Sequence, residues 1–147
     1  MKAKRHKPAA SHCLCGAPRQ ASRAVSRLYD EELRGVGLRT AQCSLLRLLR
    51  RSGGVRQRDL AELTSHDETS LTRSLRPLVD ARWVAVRTGD DRREKCVTIT
   101  AGGAAKLEKA RPAWERARSR MQAFLPEEAR QRLMGLLQEI ARLTDGA

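Results

Sequence analysis

Apolar residues recur at helical spacing along most of the chain, most clearly in one central helix. Leu71, Leu75 and Leu78 are three or four residues apart and predict one buried stripe. Asp67 is a candidate N-cap, because its carboxylate can accept backbone N–H groups that the first turn leaves unpaired. The opposite face carries hydroxyls and guanidinium groups, namely Thr69, Ser70, Thr72, Arg73 and Arg76.

The residues after this helix change to the alternating pattern of strands. Val84 and Val86, and then Val97 and Ile99, alternate with other residues and predict an antiparallel hairpin. Its tip, residues 89–93, is polar and contains two adjacent arginines. A helix with a polar face followed by a basic hairpin is the arrangement of a winged helix-turn-helix. In that fold the helix enters the major groove of DNA and the wing reaches the neighbouring minor groove.

Five further helices and one short strand are predicted around this region. The first helix is expected to begin no earlier than about Pro18, the second to be capped by Thr40, and the last to open at Pro126. Val55 is expected to pair with the wing. The fold class is therefore mainly α with a small β-hairpin wing (α+β). The predicted buried faces are, in chain order, Ala21, Ala24, Val25, Leu28 and Leu33; Ala41, Leu45, Leu46, Leu48 and Leu49; Leu60, Ala61 and Leu63; Leu107, Ala110, Trp114, Ala117, Met121 and Phe124; and Ala129, Leu133, Leu136, Leu137, Ile140 and Leu143.

The net charge of +13 points to nucleic acid or another acidic partner. Its distribution is uneven, because residues 55–95 contain nine Lys/Arg and eight Asp/Glu. The first 29 residues contain seven cations and no acidic residue. The predicted DNA-reading region is thus nearly neutral, and the placement of individual residues, rather than the total charge, is what indicates DNA binding.

The length of 147 residues suits one domain. Residues 1–11 are predicted to be a disordered basic tail, which either solubilises the chain or contacts phosphates, and residues 12–147 a single domain. No stretch reaches transmembrane length and the basic start lacks a hydrophobic segment, so we expect a cytoplasmic protein without membrane contact. The sequence has neither a catalytic constellation nor a Gly-rich phosphate loop. An enzyme is therefore not expected, and no cofactor is predicted.

The wing and the helix before it resemble the MarR family of transcriptional regulators. The resemblance covers roughly residues 14–143. It is carried by Asp91, Arg93, Val97, Ile99, Thr100 and Gly103 in the wing, by residues 69–84, and by Leu38, Arg39, Thr40 and Gln42 before the second helix.

This resemblance implies a homodimeric winged helix-turn-helix regulator with a helical dimerisation bundle. Residues 12–37 and 101–147 would form the dimerisation helices, and residues 38–100 the DNA-binding region. The expected partner is double-stranded DNA, with a pseudo-palindromic operator whose half-sites lie about 10 bp apart. The expected function is that of a repressor released by a small-molecule or thiol-reactive effector.

The candidate base contacts lie on the central helix. Arg73 and Arg76 are one turn apart, and each guanidinium can donate bidentately to guanine O6 and N7. The hydroxyls of Thr69, Ser70 and Thr72 lie in the first turns, where they can reach phosphates or base edges. A solvated helix face is the alternative interpretation, and the adjoining wing favours DNA contact over it.

The resemblance also assigns roles at the wing tip. Arg93 is expected to insert into the minor groove, and Asp91 to orient the wing through a salt bridge to Arg93. Arg92 is a second cation beside them. Narrow A·T-rich minor grooves attract such arginines electrostatically.

Four cysteines offer a second kind of chemistry. Cys13 and Cys15 lie near the predicted start of the first helix, where cations and a helix N-terminus favour the thiolate. Three interpretations remain open: a thiol that reacts with peroxides or electrophiles, a soft-metal site built on His12, Cys13 and Cys15, and packing of small apolar side chains. By the resemblance, Cys43 lies near the region where the family binds aromatic effectors, with core packing as its alternative. Cys96 is expected to be incidental.

One branch of the family senses organic hydroperoxides, and the chain resembles that branch in part. Cys15 aligns with its reactive cysteine, whereas Arg19 and Thr40 replace tyrosines that polarise that cysteine, and Cys13 is additional. The match continues through Ala21, Ser22, Arg23, Tyr29 and Gln42.

Two other classes of protein remain open. A metal- or redox-responsive thiol protein would bind a soft metal through its cysteines and show no preferred DNA sequence. A non-specific basic nucleic-acid-binding protein would bind any duplex. The nearly neutral reading region argues against the second class, because such proteins concentrate positive charge on the contact face.

Overall fold

A computed structural model describes residues 13–89 and 94–144, which form six α-helices and a small antiparallel sheet. Short 3-10 turns follow the first and last helices, at Arg34–Val36 and Arg142–Thr144. The predicted class, mainly α with a small β wing, is confirmed. The helices are α1 Gly16–Leu33, α2 Thr40–Ser52, α3 Gln57–Leu63, α4 Glu68–Asp80, α5 Ala101–Phe124 and α6 Glu127–Ala141, and the strands are β1 Val55–Arg56, β2 Val84–Thr88 and β3 Lys95–Ile99.

The sheet has the strand order β1-β3-β2, so the second wing strand is central. Val97 of β3 is fully buried and lies opposite Val55 of β1 and Val86 of β2. The N–H of Gly89 donates to the carbonyl of Glu94 at 2.7 Å and closes the base of the hairpin. The predicted pairing of Val55 with the wing is confirmed, and it anchors the hairpin to the rest of the domain.

The apolar stripe predicted on α4 faces the core. Leu71 and Leu78 are fully buried, and Leu75 is 3% exposed. They belong to one cluster with leucines of α2 and α3 and with Val97 of the sheet. Because burying each large aliphatic side chain contributes about 1.5–3 kcal/mol, this cluster fixes how α4 sits on the sheet. The polar face of α4 is thereby turned outward.

The starts of the first two helices differ from the prediction. α1 begins at Gly16, and Pro18 lies in its first turn, where a backbone donor is not needed. Thr40 is not the cap of α2, because Arg39 occupies the N-cap position. The N–H and the hydroxyl of Thr40 both donate to the Asp30 carboxylate at 2.7 Å. The prediction was wrong because a carboxylate from α1 supplies the acceptor that a local cap would otherwise provide.

Several positions predicted to be buried are exposed in the single chain. On α2, Ala41 is exposed and Cys43 is fully buried instead, because the helix turns its Cys43 side toward the core. Leu63 and Phe124 are 63% and 79% exposed. The other exposed positions are in the first half of α1 and along α6 and the turn after it: Ala21, Ala24, Val25, Ala129, Leu133, Leu136, Leu137, Ile140 and Leu143.

No helix in the described ranges is long and apolar enough to cross a membrane.

Asp30, which links α1 to α2, gives a prediction about acid stability. Burial alone raises the pKa of this carboxyl, but hydrogen bonds from Thr40 and the nearby Arg39 guanidinium outweigh it and hold the pKa below its usual range. A pKa that is lower in the folded chain means that the carboxylate stabilises the fold above the unfolded-state pKa. This contribution is lost as pH falls through the folded-state pKa.

We expect Asp30→Asn to lower the free energy of unfolding at neutral pH by about 1–3 kcal/mol and to flatten its decline in acid. Urea unfolding across the acid range measures both effects. Asp59→Asn is the control, because Asp59 is exposed on α3 and makes no ion pair within the described residues. Equal acid dependence in the two variants would contradict the role given to Asp30.

Candidate nucleic-acid interface

α3 and α4 pack on each other and both contact the sheet, which gives a helix-turn-helix followed by a wing. The chain turns between the helices at Ser65, whose φ of 51° lies in the left-handed region. The second helix of such a motif reads the major groove, and the first crosses the backbone of the duplex. α4 therefore occupies the position of the reading helix in this motif.

The start of α4 is capped as the sequence predicts. The Asp67 carboxylate accepts the N–H of Ser70 at 2.9 Å and its hydroxyl at 2.7 Å. The Ser70 side chain, then its N–H, hold the pKa of Asp67 below its usual value. Ser70 is half-buried and its hydroxyl proton is committed to the cap. Asp67 and Ser70 thus fix the first turn of α4, and the Ser70 oxygen keeps only acceptor capacity for DNA.

Three other predicted reader residues lie on the open face of α4. Thr69, Arg73 and Arg76 are exposed. Arg73 makes no ion pair with any residue in the described ranges, whereas the Nε of Arg76 lies 4.0 Å from Asp80 Oδ2. The Arg76 side chain is 83% exposed, and exposed pairs of this kind contribute little to stability. Both guanidinium groups are therefore available to a ligand.

Thr72 has a different environment, which involves a residue that sequence reasoning missed. Its hydroxyl donates to the Glu68 carbonyl at 2.8 Å and accepts from Gln57 Nε2 at 3.1 Å. Gln57 is the first residue of α3. Nothing in the local pattern indicates this contact, because the two side chains are 15 residues apart.

Backbone pairing of β1 with β3 joins the described part of the wing to the domain, and an exposed ion pair lies beside it. Arg56 Nη1 of β1 lies 3.3 Å from Glu94 Oε1 at the foot of β3. Asp91, Arg92 and Arg93, the predicted tip residues, lie outside the described residues. Their assigned roles in the minor groove stay predictions.

Comparison with known proteins extends beyond the reading region. The sequence profile of the MarR family matches residues 36–94, which run from the turn after α1 to the wing. The M. tuberculosis transcriptional regulator MOSR, solved in complex with DNA, is 30% identical. The match covers 90% of this chain and 99% of that one, with a TM-score of 0.80.

The chain belongs to the MarR family of transcriptional regulators.

One further solved structure and one further protein sequence are similar to this MarR-family chain. A mutant of E. coli MarR in complex with operator DNA is 26% identical, with a TM-score of 0.77, and the match covers 86% of this chain and 92% of that one. The uncharacterized HTH-type transcriptional regulator YwoH of Bacillus subtilis is 32% identical over 89 residues, which is 60% of this chain. The chain spans 65% of the length of YwoH. The similarity to MOSR and MarR thus includes helices on both sides of the reading region.

The cysteines of this MarR-family chain differ in environment. Cys13 and Cys15 are exposed at the start of α1. Backbone N–H groups of Gly16 and Cys15 hydrogen-bond Cys13 and hold its pKa below the ordinary value. Cys43 is fully buried, and burial raises its pKa to about 11 although the Arg47 charge opposes that shift. Cys43 is therefore a protonated, packed thiol at neutral pH, which supports its core-packing interpretation.

The soft-metal interpretation gains no support from the described residues. Within residues 13–89 and 94–144, no three His, Cys, Asp or Glu side chains are grouped so that they could hold a metal ion. His12, the third predicted ligand, lies outside these ranges.

Proposed function

We propose that this chain is a sequence-specific DNA-binding repressor that acts as a homodimer on a pseudo-palindromic operator. The observation that carries the proposal is the open face of α4, where Thr69, Arg73 and Arg76 are exposed beside an anchored wing. MOSR and E. coli MarR, both solved with DNA, support it. A cytoplasmic location and the absence of catalytic activity are part of the same proposal.

The exposed apolar face of α6 supports the homodimer. Its largest side chains are between 40% and 56% exposed, and Leu143 beyond the helix is 77% exposed. A contiguous apolar face of this kind marks an interaction surface on a soluble domain. A second copy of the chain is its proposed occupant, because two reading helices are needed for a two-fold operator. This α6 face comprises Leu133, Leu136, Leu137, Ile140 and Leu143.

In this proposal each α4 lies in the major groove of one half-site. Arg73 and Arg76 donate to guanine edges, Thr69 contacts the DNA near the start of the helix, and the wing arginines Arg92 and Arg93 reach the adjacent minor groove. Each bidentate arginine contact contributes about 1–3 kcal/mol of discrimination between bases.

The test is binding of the purified protein to the DNA upstream of its own gene, with competitor duplex present. We expect binding at least about 1000-fold tighter than to unrelated duplex. Arg73→Ala should lose this preference while retaining weak non-specific binding. Arg132→Ala, at an exposed arginine of α6 that makes no ion pair within the described residues, should retain the preference. Equal affinity for every duplex would instead identify a non-specific nucleic-acid-binding protein.

We also propose that Cys13 and Cys15 sense oxidants and release the DNA. Backbone hydrogen bonds hold the pKa of Cys13 below its ordinary value, and this increases the fraction of its thiol that is ionised to the nucleophilic thiolate. The thiolate sulfur attacks a hydroperoxide oxygen, the O–O bond breaks, and sulfenic acid and an alcohol form. A second thiol then displaces water to give a disulfide. Because a disulfide within Cys-x-Cys is strained, a thiol of the second subunit is an alternative partner.

The oxidant test compares DNA binding before and after mild organic hydroperoxide. We expect wild type to lose binding and regain it with excess thiol, and Cys13→Ser to keep binding throughout. Cys43→Ser is the control and should respond like wild type, because Cys43 is buried. If oxidant leaves DNA binding by wild type unchanged, the redox proposal is wrong, whereas the repressor proposal is unaffected.

A further inference from the structure

A chain of two hydrogen bonds fixes the orientation of the Gln57 side chain. The Thr72 hydroxyl has one proton, and it donates that proton to the Glu68 carbonyl at 2.8 Å. Toward Gln57 the same oxygen can therefore only accept. The atom of the Gln57 amide 3.1 Å from Thr72 Oγ1 must then be the nitrogen. The orientation of the amide is assigned from this hydrogen-bond network, because the shape of an amide alone leaves the choice between its two ends open.

The rest of the Gln57 amide makes no hydrogen bond with the residues that the structure describes. A glutamine amide nitrogen has two protons, and only one of them points to Thr72. The second N–H and the Oε1 atom have no hydrogen-bond partner among residues 13–89 and 94–144. An N–H donor beside a C=O acceptor is the pattern that pairs with the N7 acceptor and the N6 amino donor of adenine in the major groove.

The surroundings of Gln57 favour a base edge over a phosphate. Gln57 lines a cleft between α3, α4 and β3 together with three cationic and four acidic residues, a net charge of −1. A phosphate would be repelled by the acidic groups, and it could use the amide N–H but not the Oε1 acceptor. The amino group of adenine can donate to that acceptor. The charged residues of the cleft are Arg56, Arg58, Lys95, Asp59, Glu62, Glu68 and Glu94.

We propose that Gln57 is a specificity-determining residue that reads one adenine in each half-site, and that Thr72 is its positioning residue. The inference rests on the proposed function and extends base reading from α4 to the first residue of α3, a helix that otherwise crosses the backbone of the duplex. Thr72 acts through Gln57, by holding one amide N–H and so leaving the second N–H and Oε1 for a ligand. In this proposal the Thr72 hydroxyl orients the Gln57 amide and does not itself contact a base.

The test is selection of preferred duplexes from a random pool, followed by affinity measurements on single-base variants of the selected site. With Gln57→Ala, the preference for adenine at one position of each half-site should fall about 5- to 150-fold, the range of one bidentate contact. Preferences at other positions and the salt dependence of binding should stay unchanged, because no phosphate contact is lost.

Variants at Thr72 separate positioning from folding. Thr72→Val removes the acceptor and should weaken the preference at the same position, whereas Thr72→Ser keeps the hydroxyl and should restore it. Thermal unfolding of each variant identifies any general loss of structure. A purely structural contact would lower stability without changing the preference at one base pair.

Other outcomes would overturn the inference. If Gln57→Ala lowers the affinity equally for all DNA sequences and makes its salt dependence shallower, Gln57 contacts a phosphate. An unchanged preference at every position would show that the amide is only solvated. If wild type selects no sequence at all, the repressor proposal fails as well. The two failures are therefore distinguishable.

Discussion

Gly103→Ala is expected to destabilise the fold by about 3 kcal/mol, the upper part of the range for overpacking. A Cβ at this buried position would lie 2.1 Å from the Trp83 carbonyl oxygen and 2.9 Å from Ile99 Cγ1. The Trp83 carbonyl cannot move aside cheaply, because it accepts the N–H of Thr100 at 3.0 Å. Thr100 also caps α5 by accepting the N–H of Gly103 at 3.0 Å. The first turn of α5 is thus packed directly on the start of the wing.

The neighbouring glycine provides a matched control for this prediction. A Cβ at Gly102 would meet its nearest atom, the Arg82 carbonyl oxygen, only at 3.6 Å. Gly102→Ala should therefore be tolerated, and it should gain up to about 0.5–1 kcal/mol from reduced freedom of the unfolded chain. Thermal unfolding should show Gly103→Ala about 6–12 °C below wild type and Gly102→Ala at or slightly above it. Similar midpoints for the two variants would refute the close packing at Gly103.

Features that depend on neighbours in the sequence were predicted well. The Asp67 cap acts on Ser70, three residues away, and the α4 stripe needs only helical periodicity. The wing strands follow from alternation and from turn residues. These features place Thr69, Arg73 and Arg76 on an open face, as the sequence predicts, because burying one side of a short helix leaves the other side outside.

Two contacts between distant parts of the chain were missed, although the pairing of Val55 with the wing was predicted. Thr40 looks like a cap because its own neighbours suggest one, yet the carboxylate that receives its hydrogen bonds comes from Asp30 on another helix. Gln57 has no local pattern that distinguishes it from any polar residue at a helix start. Its role depends on Thr72 approaching from α4, and periodicity carries no information about such a contact.

The α6 face shows a third kind of difference, since its apolar pattern was predicted but its burial is absent from the single chain. Leu137 is 44% exposed and Ile140 50% exposed. Apolar periodicity predicts that one face of a helix is buried in the functional assembly. It does not indicate whether that face packs against the same chain or against a second copy. A dimer reconciles the predicted burial with the observed exposure.

Leu137→Glu is accordingly expected to convert the dimer into a folded monomer. One carboxylate in the centre of the α6 face would lie in an apolar interface without a partner, at a cost that a dimer contact does not recover. The monomer keeps its α4 and wing but loses the second reading helix. Its affinity for the full operator should therefore fall by about 100- to 10,000-fold, the usual gain from linking two binding modules.

Light scattering measures the mass in solution, and titration of a full operator and of an isolated half-site measures the two affinities. Gln138→Glu is the control, because it adds the same charge on the polar side of the same helix. It should remain dimeric and bind the operator like wild type. Leu137→Glu should bind the half-site about as well as the wild-type dimer does, since each reading helix is intact. A Leu137→Glu protein that remains dimeric would place the interface elsewhere, whereas a monomer with undiminished operator affinity would mean that one subunit suffices for recognition.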